Sequence, residues 1–260
     1  MTDFETAIKE LDLRLFEKIP SQSTDEDKQS LLACQLAVRE LCGEYNYLEI
    51  GSYIGGSIQP HLLDPKCRRI YSIDKRPRSQ PDERGVDFIY QNNSTARMME
   101  MLAAVSENRD KIVTIDGDSK TINPSQVEDK IQLCFIDGKH TDEAVISDFK
   151  FCLSVLDTNG AIVFHDAQIT YNGIAECVRQ LEENNVDFKA YVLPHIVFVV
   201  EIGDFPLHRN EVIAERLKDN YRSYLFALQD NDHYRRFANR FPFGMMRRLM
   251  LKVRGGNVSE

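Results

Sequence analysis

Glycines and acidic residues follow the apolar runs of this chain at positions where they could bind a nucleotide-like ligand. The run that ends at Ile50 carries Glu49 and is followed by Gly51, with a glycine pair at Gly55 and Gly56. Gly51 allows the backbone to turn sharply, and the later glycines allow a ligand to approach the main chain. The pattern predicts a strand, a tight turn and a helix whose first amides face polar groups of the ligand. Glu49 is expected to point towards that ligand.

A second acid, Asp74, ends the next apolar run, 23 positions after Gly51. In nucleotide-binding α/β sheets, an acid about 20 residues after the glycine turn accepts hydrogen bonds from the hydroxyls of a ribose. The glycines do not have the G-x-G-x-x-G spacing of dinucleotide-binding proteins. A nicotinamide-dependent dehydrogenase is therefore disfavoured.

Two further acids follow apolar runs, and each has a histidine nearby. Asp137 comes directly after the run 131–136 and is followed by His140, while His165 precedes Asp166. Carboxyl ends of parallel strands meet at one edge of a sheet, so these side chains should converge. Two acids could hold a divalent cation such as Mg²⁺, which lowers the pKa of bound hydroxyls. A histidine acting as a general base without metal is the alternative.

Four segments, taken in order, resemble a known family. They are Glu49-x-Gly51-x-x-x-Gly55, Asp74, Ile115-Asp116-Gly117-Asp118-Ser119 and Cys134-Phe135-Ile136-Asp137-Gly138-x-His140. These segments look like the successive strand-end motifs of class I S-adenosylmethionine-dependent methyltransferases. The closest resemblance is to the bacterial small-molecule branch, whose fourth strand ends F-I-D-G-x-H and whose fifth ends F-H-D. The resemblance covers residues 45–202.

The resemblance implies a cofactor site and an acceptor side. The residues that would bind S-adenosylmethionine are Glu49, Gly51, Ser52, Gly55, Ser57, Asp74, Asp118, Ser119 and Asp137. Asp118 and Ser119 would lie near the adenine, although a turn with self-capping acids explains them equally well. The catalytic candidates on the acceptor side are Asp137, His140 and Asp166, with Asp137 and Asp166 as candidate metal ligands.

The metal-dependent pattern is incomplete in this chain. Relatives that use a metal have Asp or Asn directly after the fifth-strand acid, whereas this chain has Ala167. A third ligand would have to come from His140, Gln168 or water. Without metal, His140 is the better candidate for the base, because His165 can equally have a packing role.

The acceptor atom is constrained by a motif that is missing. Enzymes that methylate exocyclic amino groups resemble each other in an Asn/Asp-Pro-Pro-Tyr motif, and this chain has Asp137-Gly138-Lys139-His140 there. A hydroxyl oxygen of a small molecule, of sugar or natural-product type, is therefore favoured. Two alternatives stay open. One is a metal-dependent hydroxylase-like enzyme using His140, His165 and Asp137, and the other is an adenosyl-ligand-binding scaffold without activity.

The order of apolar segments predicts the fold. Strands alternate with helices, and a hairpin over 188–202 closes the series. We expect an α/β fold with a doubly wound, mostly parallel seven-stranded sheet that ends in an antiparallel hairpin. The predicted divisions are N-terminal helices (1–43), a cofactor-binding domain (44–204) and a C-terminal helix with a basic tail (205–260). Heptad-like spacing over 213–228 predicts one long amphipathic helix there.

Charge separates the C-terminal tail from the rest of the chain. The net charge is −9, which argues against a general nucleic-acid binder. After Asp232 come seven basic residues and one acid, so the preceding part carries −15. The basic residues are Arg235, Arg236, Arg240, Arg247, Arg248, Lys252 and Arg254. Such a tail could bind an anionic membrane surface, an acidic partner or the acidic body of a second copy in a homodimer.

The location is predicted from features that the sequence lacks. No long apolar stretch predicts a membrane span or a signal peptide, and the six cysteines contain no C-x-x-C pair. They are expected to be buried, reduced thiols, and a cytoplasmic location is expected.

Overall fold

A computed structural model describes residues 3–85, 87–238 and 240–253, with side chains left undescribed at 233–238, 247–248 and 251–253. The strands in chain order are β1 (Tyr45–Ile50), β2 (Cys67–Asp74), β3 (Ser79–Pro81), β4 (Asp87–Ile89), β5 (Ile112–Asp116), β6 (Ile131–Ile136), β7 (Leu156–Phe164), β8 (Phe188–Val192) and β9 (Phe198–Ile202). The helices are α1 (Phe4–Lys9), α2 (Asp25–Cys42), α3 (Gln59–Leu63), α4 (Thr95–Ala103), α5 (Asp142–Val155), α6 (Tyr171–Glu183), α7 (Glu211–Leu217), α8 (Tyr221–Ala238) and α9 (Phe243–Val253).

Seven strands form one sheet in the order β5-β2-β1-β6-β7-β9-β8, and β3 and β4 form a separate hairpin. Strands β1, β2, β5, β6 and β7 are parallel, whereas β9 is antiparallel to both β7 and β8. Buried apolar clusters cover both faces of the sheet, which explains why β6 is almost wholly apolar. The predicted fold class is therefore confirmed. The strand order reverses between β1 and β6, and this is where doubly wound sheets bind ligands.

The N-terminal helices differ in how well the sequence predicted them. Helix α2 begins with the expected capping box, in which Thr24 and Asp27 bond each other's main chain, and Gly43 ends it. Helix α1 is shorter than the apolar spacing predicts, because Leu11 has a positive φ of 50°. Asp12 then caps a separate 3₁₀ turn, Leu13–Phe16.

Several other predicted boundaries are wrong for local reasons. The helix expected from Gly55 begins only at Gln59, since Gly55 has φ +86° and the chain turns there. Gly160 does not end α5. It lies inside β7, where it pairs with Ile202, because that strand already begins at Leu156. The short helix expected over 123–129 is only the 3₁₀ turn Pro124–Gln126.

The C-terminal part is broken where one long helix was predicted. Residues 218–220 form a turn between α7 and α8. Ile213 of α7 is buried in the same cluster as Ala33 and Val38 of α2, so the two ends of the chain pack together on one face of the sheet. The extended piece predicted over 86–90 corresponds to β4, and Val86 lies outside the described residues.

Two further expectations concern cysteines and membranes. All six cysteines lie in the described part of the chain, none is in a disulfide, and five are buried. Within the described residues, no helix has the length and apolarity needed to cross a membrane.

Candidate active site

The turn after β1 brings two strand ends into contact. Gly51 has φ +98°, and its N–H donates to the Ile73 carbonyl at 2.8 Å. A Cβ at this position would lie 2.1 Å from the carbonyl oxygen of Asp137. Glycine is therefore required here both for its conformation and for the close approach of the chain after β6. Beside it, the Ser52 hydroxyl is buried and accepts a hydrogen bond from Ser72 at 2.8 Å.

The next two glycines accommodate protein atoms, where the sequence predicted approach of a ligand. A Cβ at Gly55 would lie 3.1 Å from Leu102, and one at Gly56 would lie 2.7 Å from the Pro20 carbonyl oxygen. The segment that precedes α2 thus packs on this turn. The prediction for these glycines was wrong in its cause, because the sequence does not show which other segment crosses the turn.

Glu49 lies beneath the turn rather than pointing towards a ligand. Its side chain is fully buried and accepts hydrogen bonds from Tyr47 and Ser57, both at 2.6 Å. Burial raises the pKa of Glu49 to about 7, although both hydroxyls favour the ionised form. Glu49 lines neither of the two cavities described next. It fixes Ser57, whose hydroxyl does reach a cavity wall.

The first cavity, of about 170 Å³, lies at the carboxyl ends of β1, β2, β5 and β6. Asp74 lines it and is itself nearly buried. One carboxylate oxygen accepts from the Tyr53 amide at 2.8 Å, and the other accepts from the Arg76 amide at 2.6 Å. Asp74 is thereby held rigidly at the edge of the cavity, where a ribose could donate to its remaining lone pairs.

The far end of the first cavity carries Asp118, Ser119 and Asp148. Asp118 caps its own turn by accepting from the Lys120 amide, and it also pairs with Lys75 at 3.0 Å. Although partial burial opposes ionisation, these two contacts lower the pKa of Asp118. Ser119 donates to Asp148 at 2.5 Å, and burial raises the pKa of Asp148 to about 7.

The second cavity, of about 250 Å³, lies on the other side of Gly51. Pro20, Ser21 and Thr24 from the N-terminal segment form one wall. The β3–β4 region and its flanks contribute another wall through Arg84, Phe88 and Tyr90, together with Tyr53 from the glycine turn. The Tyr53 and Tyr90 rings pack edge to face, with centroids 5.2 Å apart. This cavity is therefore aromatic on one side and charged on the other.

Two carboxylates and two imidazoles alternate at the charged side of the second cavity. We call Asp137, His140, Asp166 and His165 the acceptor-side cluster. His140 Nε2 lies 3.1 Å from Asp166 and 3.5 Å from Asp137. His165 Nδ1 lies 3.0 Å from Asp166 and 3.2 Å from Asp137. Each imidazole thus bridges both carboxylates.

The charges of this cluster stabilise one another. Burial opposes the charged form of every member, but the opposite charges outweigh it. The imidazoles of His165 and His140 lower the pKa of Asp137 to about 2, and they also lower the pKa of Asp166. In turn, the carboxylates raise the pKa of both histidines, that of His165 well above its usual value.

A third acid, Asp27 at the start of α2, supports the cluster from behind. It is fully buried and lies 3.7 Å from His165 Nε2. It also accepts from Thr24 Oγ1 at 2.5 Å, and it contacts His195 at 2.9 Å. These contacts bind the N-terminal helix to the turn between β8 and β9 beside the cavity.

One group in the described part of the chain is suited to hold a metal ion. The donor atoms of Asp137, His140 and Asp166 lie within 4.8 Å of one another. Two carboxylates and one imidazole suit a divalent cation. His165 is outside this group because its Nδ1 faces both carboxylates and its Nε2 faces Asp27. The two-histidine set that a hydroxylase-like site would need is therefore not assembled.

Comparison with protein families decides the class of this site. A family model described as a methyltransferase domain matches residues 48–167, which include the glycine turn, Asp74 and the acceptor-side cluster. The chain contains a class I S-adenosylmethionine-dependent methyltransferase domain. No curated protein matches the sequence.

Solved structures share the fold of this methyltransferase. A proposed caffeoyl-CoA O-methyltransferase from Staphylococcus aureus is 12% identical, with a TM-score of 0.50, and the match covers 78% of this chain and 93% of that one. CalS11, a calicheamicin methyltransferase, is 17% identical with a TM-score of 0.50 and coverage of 78% and 94%. The cofactor-bound protein Rv0187 from MTB is 15% identical with a TM-score of 0.51 and coverage of 76% and 88%. At these identities the likeness shows the fold alone.

The structure of the methyltransferase brings most of the predicted site residues to the two cavities. Gly51, Asp74, Asp118 and Ser119 line the first cavity. The second is lined by Gly51, Ser52, Ser57, Asp137, His140, His165 and Asp166. Glu49 and Gly55 line neither. Gln168 is not part of the candidate metal group, although its Oε1 is buried without a hydrogen-bond partner.

Two acids of the site were missed from the sequence. Asp148 interrupts the apolar stripe of α5 formed by Val145, Phe149 and Cys152, and this spacing was a usable signal. Asp27 was recognised only as a helix-capping residue. Its contact with His165 joins positions far apart in the chain, and no local pattern reports such a contact.

Proposed function

We propose that this methyltransferase transfers the methyl group of S-adenosylmethionine to a hydroxyl oxygen of a small molecule bound in the second cavity. The observation that carries the proposal is the position of His140, whose Nε2 faces Asp166 and Asp137 at the wall of that cavity. A carboxylate that contacts an imidazole orients the ring and stabilises its protonated form. This pair suits removal of a hydroxyl proton during methyl transfer.

The two cavities divide the work of the reaction. We assign the first to the adenosyl part of the cofactor, with Asp74 binding the ribose and Asp118, Ser119 and Asp148 at the adenine end. The methyl group would then face the second cavity past Gly51, which lines both. Methyl transfer is an in-line displacement, so alignment of the acceptor oxygen is the main contribution required of the protein.

The order of the proton and methyl transfers follows from the charges of the acceptor-side cluster. The acceptor hydroxyl gives its proton to His140 as its oxygen attacks the methyl carbon, and S-adenosylhomocysteine leaves as a neutral thioether. Asp137 and Asp166 stabilise the imidazolium that forms, because both carboxylates lie within 3.5 Å of its Nε2. His140 must be neutral before the reaction, so activity should rise with pH through its raised pKa.

The same residues fit a divalent cation. Asp137, His140 and Asp166 would hold it, since their donor atoms converge and two of the three are carboxylates. A bound cation would polarise the acceptor hydroxyl and lower its pKa. Ala167 supplies no ligand where metal-dependent relatives have Asp or Asn. In that case Asp166 and Asp137 bind the cation, and His165 positions the carboxylates from the buried side.

The choice of oxygen over nitrogen rests on residues and on analogy. The segment after β6 lacks the Asn/Asp-Pro-Pro-Tyr motif of amino-group methyltransferases. Two structures of similar fold are described as O-methyltransferases, one a proposed caffeoyl-CoA enzyme and the other, CalS11, a TDP-rhamnose 3'-O-methyltransferase. The aromatic side chains Tyr53, Phe88 and Tyr90 suit an acceptor with an apolar face.

The test is methyl transfer from S-adenosylmethionine with a labelled methyl group to matched pairs of acceptors. Each pair is a hydroxyl compound and its amino analogue, for example catechol and phenylenediamine, or glucose and glucosamine. We expect label in hydroxyl compounds, with and without added Mg²⁺ measured separately. His140→Ala should lower kcat/KM by about 10² to 10⁴. His208→Gln is the control, because it removes an imidazole that contacts Glu201 outside both cavities. Transfer to amino analogues alone would contradict the proposal.

A further inference from the structure

Large apolar side chains are exposed mainly at the C-terminal end of the described chain. Of fourteen exposed large apolar residues among those described, ten lie between 221 and 250. Four of them, Tyr221, Tyr224, Leu225 and Leu228, recur at helical spacing on one side of α8. Apolar surface gathered in this way marks an interaction site, whereas single exposed residues do not.

Helix α9 combines such apolar residues with basic ones. Met245, Met246, Leu249 and Met250 are each exposed by half or more and have the spacing of one helix side. The sequence of this helix contains Arg247, Arg248 and Lys252 and no acid. A helix that carries both apolar and basic residues in this proportion is typical of helices that lie in the interface of an anionic lipid bilayer.

The opposite side of α8 holds the C-terminal helices against the body. Arg222 pairs with Glu26 at 2.8 Å, the Phe226 ring packs on His195 with centroids 4.3 Å apart, and Asp230 lies 4.0 Å from Arg84. These residues are four positions apart, so one side of α8 faces the body and the side with Tyr224 faces outwards. Arg84 lines the second cavity. The exposed surface is therefore adjacent to the site.

A second copy of the chain fits this surface less well than a membrane does. Contact between two α9 helices would bring together two segments that each carry seven basic residues and one acid after Asp232. Contact of α9 with the acidic body would match the charges. However, the described body exposes only Leu41, Leu63, Ile89 and Tyr171 as large apolar residues. An anionic bilayer provides both the negative charge and the apolar depth.

We propose that α9, together with the exposed side of α8, binds the surface of an anionic lipid membrane. The helix lies in the plane of the interface, with its methionine and leucine side chains among the acyl chains and its basic residues near the phosphates. This inference is independent of the acceptor and of the methyl-transfer reaction.

The test is co-sedimentation of the full-length protein with vesicles. Vesicles of phosphatidylcholine alone are compared with vesicles that also contain phosphatidylglycerol. We expect binding only to the latter, and weaker binding as salt rises, since the Debye length is about 10 Å at 0.1 M. Leu249→Glu with Met250→Glu should lower the partition coefficient by at least about tenfold. Arg247→Glu with Arg248→Glu should do the same through charge.

The matched control is Leu41→Glu with Leu63→Glu, which places the same charges at exposed leucines of the body. We expect this control to bind the anionic vesicles like the wild type, and thermal unfolding checks that every variant is folded. Equal binding by the control and the α9 variants, or no binding to either kind of vesicle, would overturn the proposal. Light scattering that shows a dimer dissociated by the α9 substitutions would replace the membrane by a second copy.

Discussion

At the scale of single residues, Asp74 combines a structural and a binding role. Its two oxygens accept from the Tyr53 and Arg76 amides, and the same carboxylate lines the first cavity. Hydrogen bonds to a charged group contribute about 1.5 to 3 kcal/mol. The ribose contact that we propose should therefore account for much of the cofactor affinity.

The first prediction concerns this carboxylate. Asp74→Asn should weaken S-adenosylhomocysteine binding by roughly 10- to 100-fold, because the charge-assisted contacts with the ribose are lost. Asp116→Asn is the control, since Asp116 pairs with Asp74 across β5 and β2 but lines neither cavity. Calorimetric titration measures both variants. An unchanged affinity of Asp74→Asn would show that the ribose binds elsewhere.

The second prediction concerns the buried acid beneath the turn. Burial raises the pKa of Glu49 from 4.5 to about 7, so the folded protein retains a proton that the unfolded chain releases between these values. Glu49 therefore costs stability increasingly as pH rises from 4.5 to about 7. The free energy of unfolding of Glu49→Gln, minus that of the wild type, should grow by about 3 kcal/mol over this range.

Chemical denaturation at several pH values measures this difference. Glu100→Gln on α4 provides the control, since Glu100 is exposed and its variant should follow the wild type at every pH. A difference for Glu49→Gln that stays constant with pH would mean that Glu49 is already ionised throughout.

At the scale of elements, the turn after β1 depends on one close contact. Gly51 and Gly43 both have positive φ, but only Gly51 lies against another segment. A Cβ at Gly43 would meet nothing within 4 Å, whereas one at Gly51 would meet the Asp137 carbonyl. The two glycines thus separate the cost of conformation from the cost of displacing a neighbouring strand end.

The third prediction uses this pair. Gly43→Ala should lower the free energy of unfolding by about 1 to 2 kcal/mol, the cost of a left-handed conformation. Gly51→Ala should lower it by at least about 3 kcal/mol, because β1 and the chain after β6 must also separate. It should also abolish S-adenosylhomocysteine binding. Equal destabilisation by the two substitutions would contradict the close contact.

The elements that the sequence predicted well are those with local signals. The strand β6 is a continuous apolar run with a clear end, and α2 has a capping box at one end and a glycine at the other. The errors arose where a distant segment decides the local conformation. Gly56 is explained by Pro20, and the role of Asp27 is explained by His165 and His195. Neither contact has a sequence pattern.

The candidate site was predicted to the same extent. Acids at the ends of parallel strands must converge, so the acceptor-side cluster followed from strand order alone. The orientation of Glu49 did not, because its direction depends on which side of β1 each side chain faces at the end of the strand. The choice between proton transfer by His140 and a bound cation also depends on distances that no sequence shows.

At the scale of the whole molecule, opposite charges lie at different ends of the chain. The body up to Asp232 carries −15, while the tail is basic. Of the tail's basic side chains only Arg240 is described, and Arg254 lies outside the described residues. The division into segments 1–43, 44–204 and 205–260 stays a prediction. Cytoplasmic location and homo-oligomer formation stay predictions as well.

The measurement that tests the account most directly is calorimetric titration of the full-length protein with S-adenosylhomocysteine, with NAD as the control ligand. We predict micromolar binding of S-adenosylhomocysteine and none of NAD, because the glycine turn lacks the dinucleotide pattern. A tighter complex in the presence of Mg²⁺ would support a cation at Asp137, His140 and Asp166. No binding of S-adenosylhomocysteine by the folded protein would contradict the assignment of the first cavity.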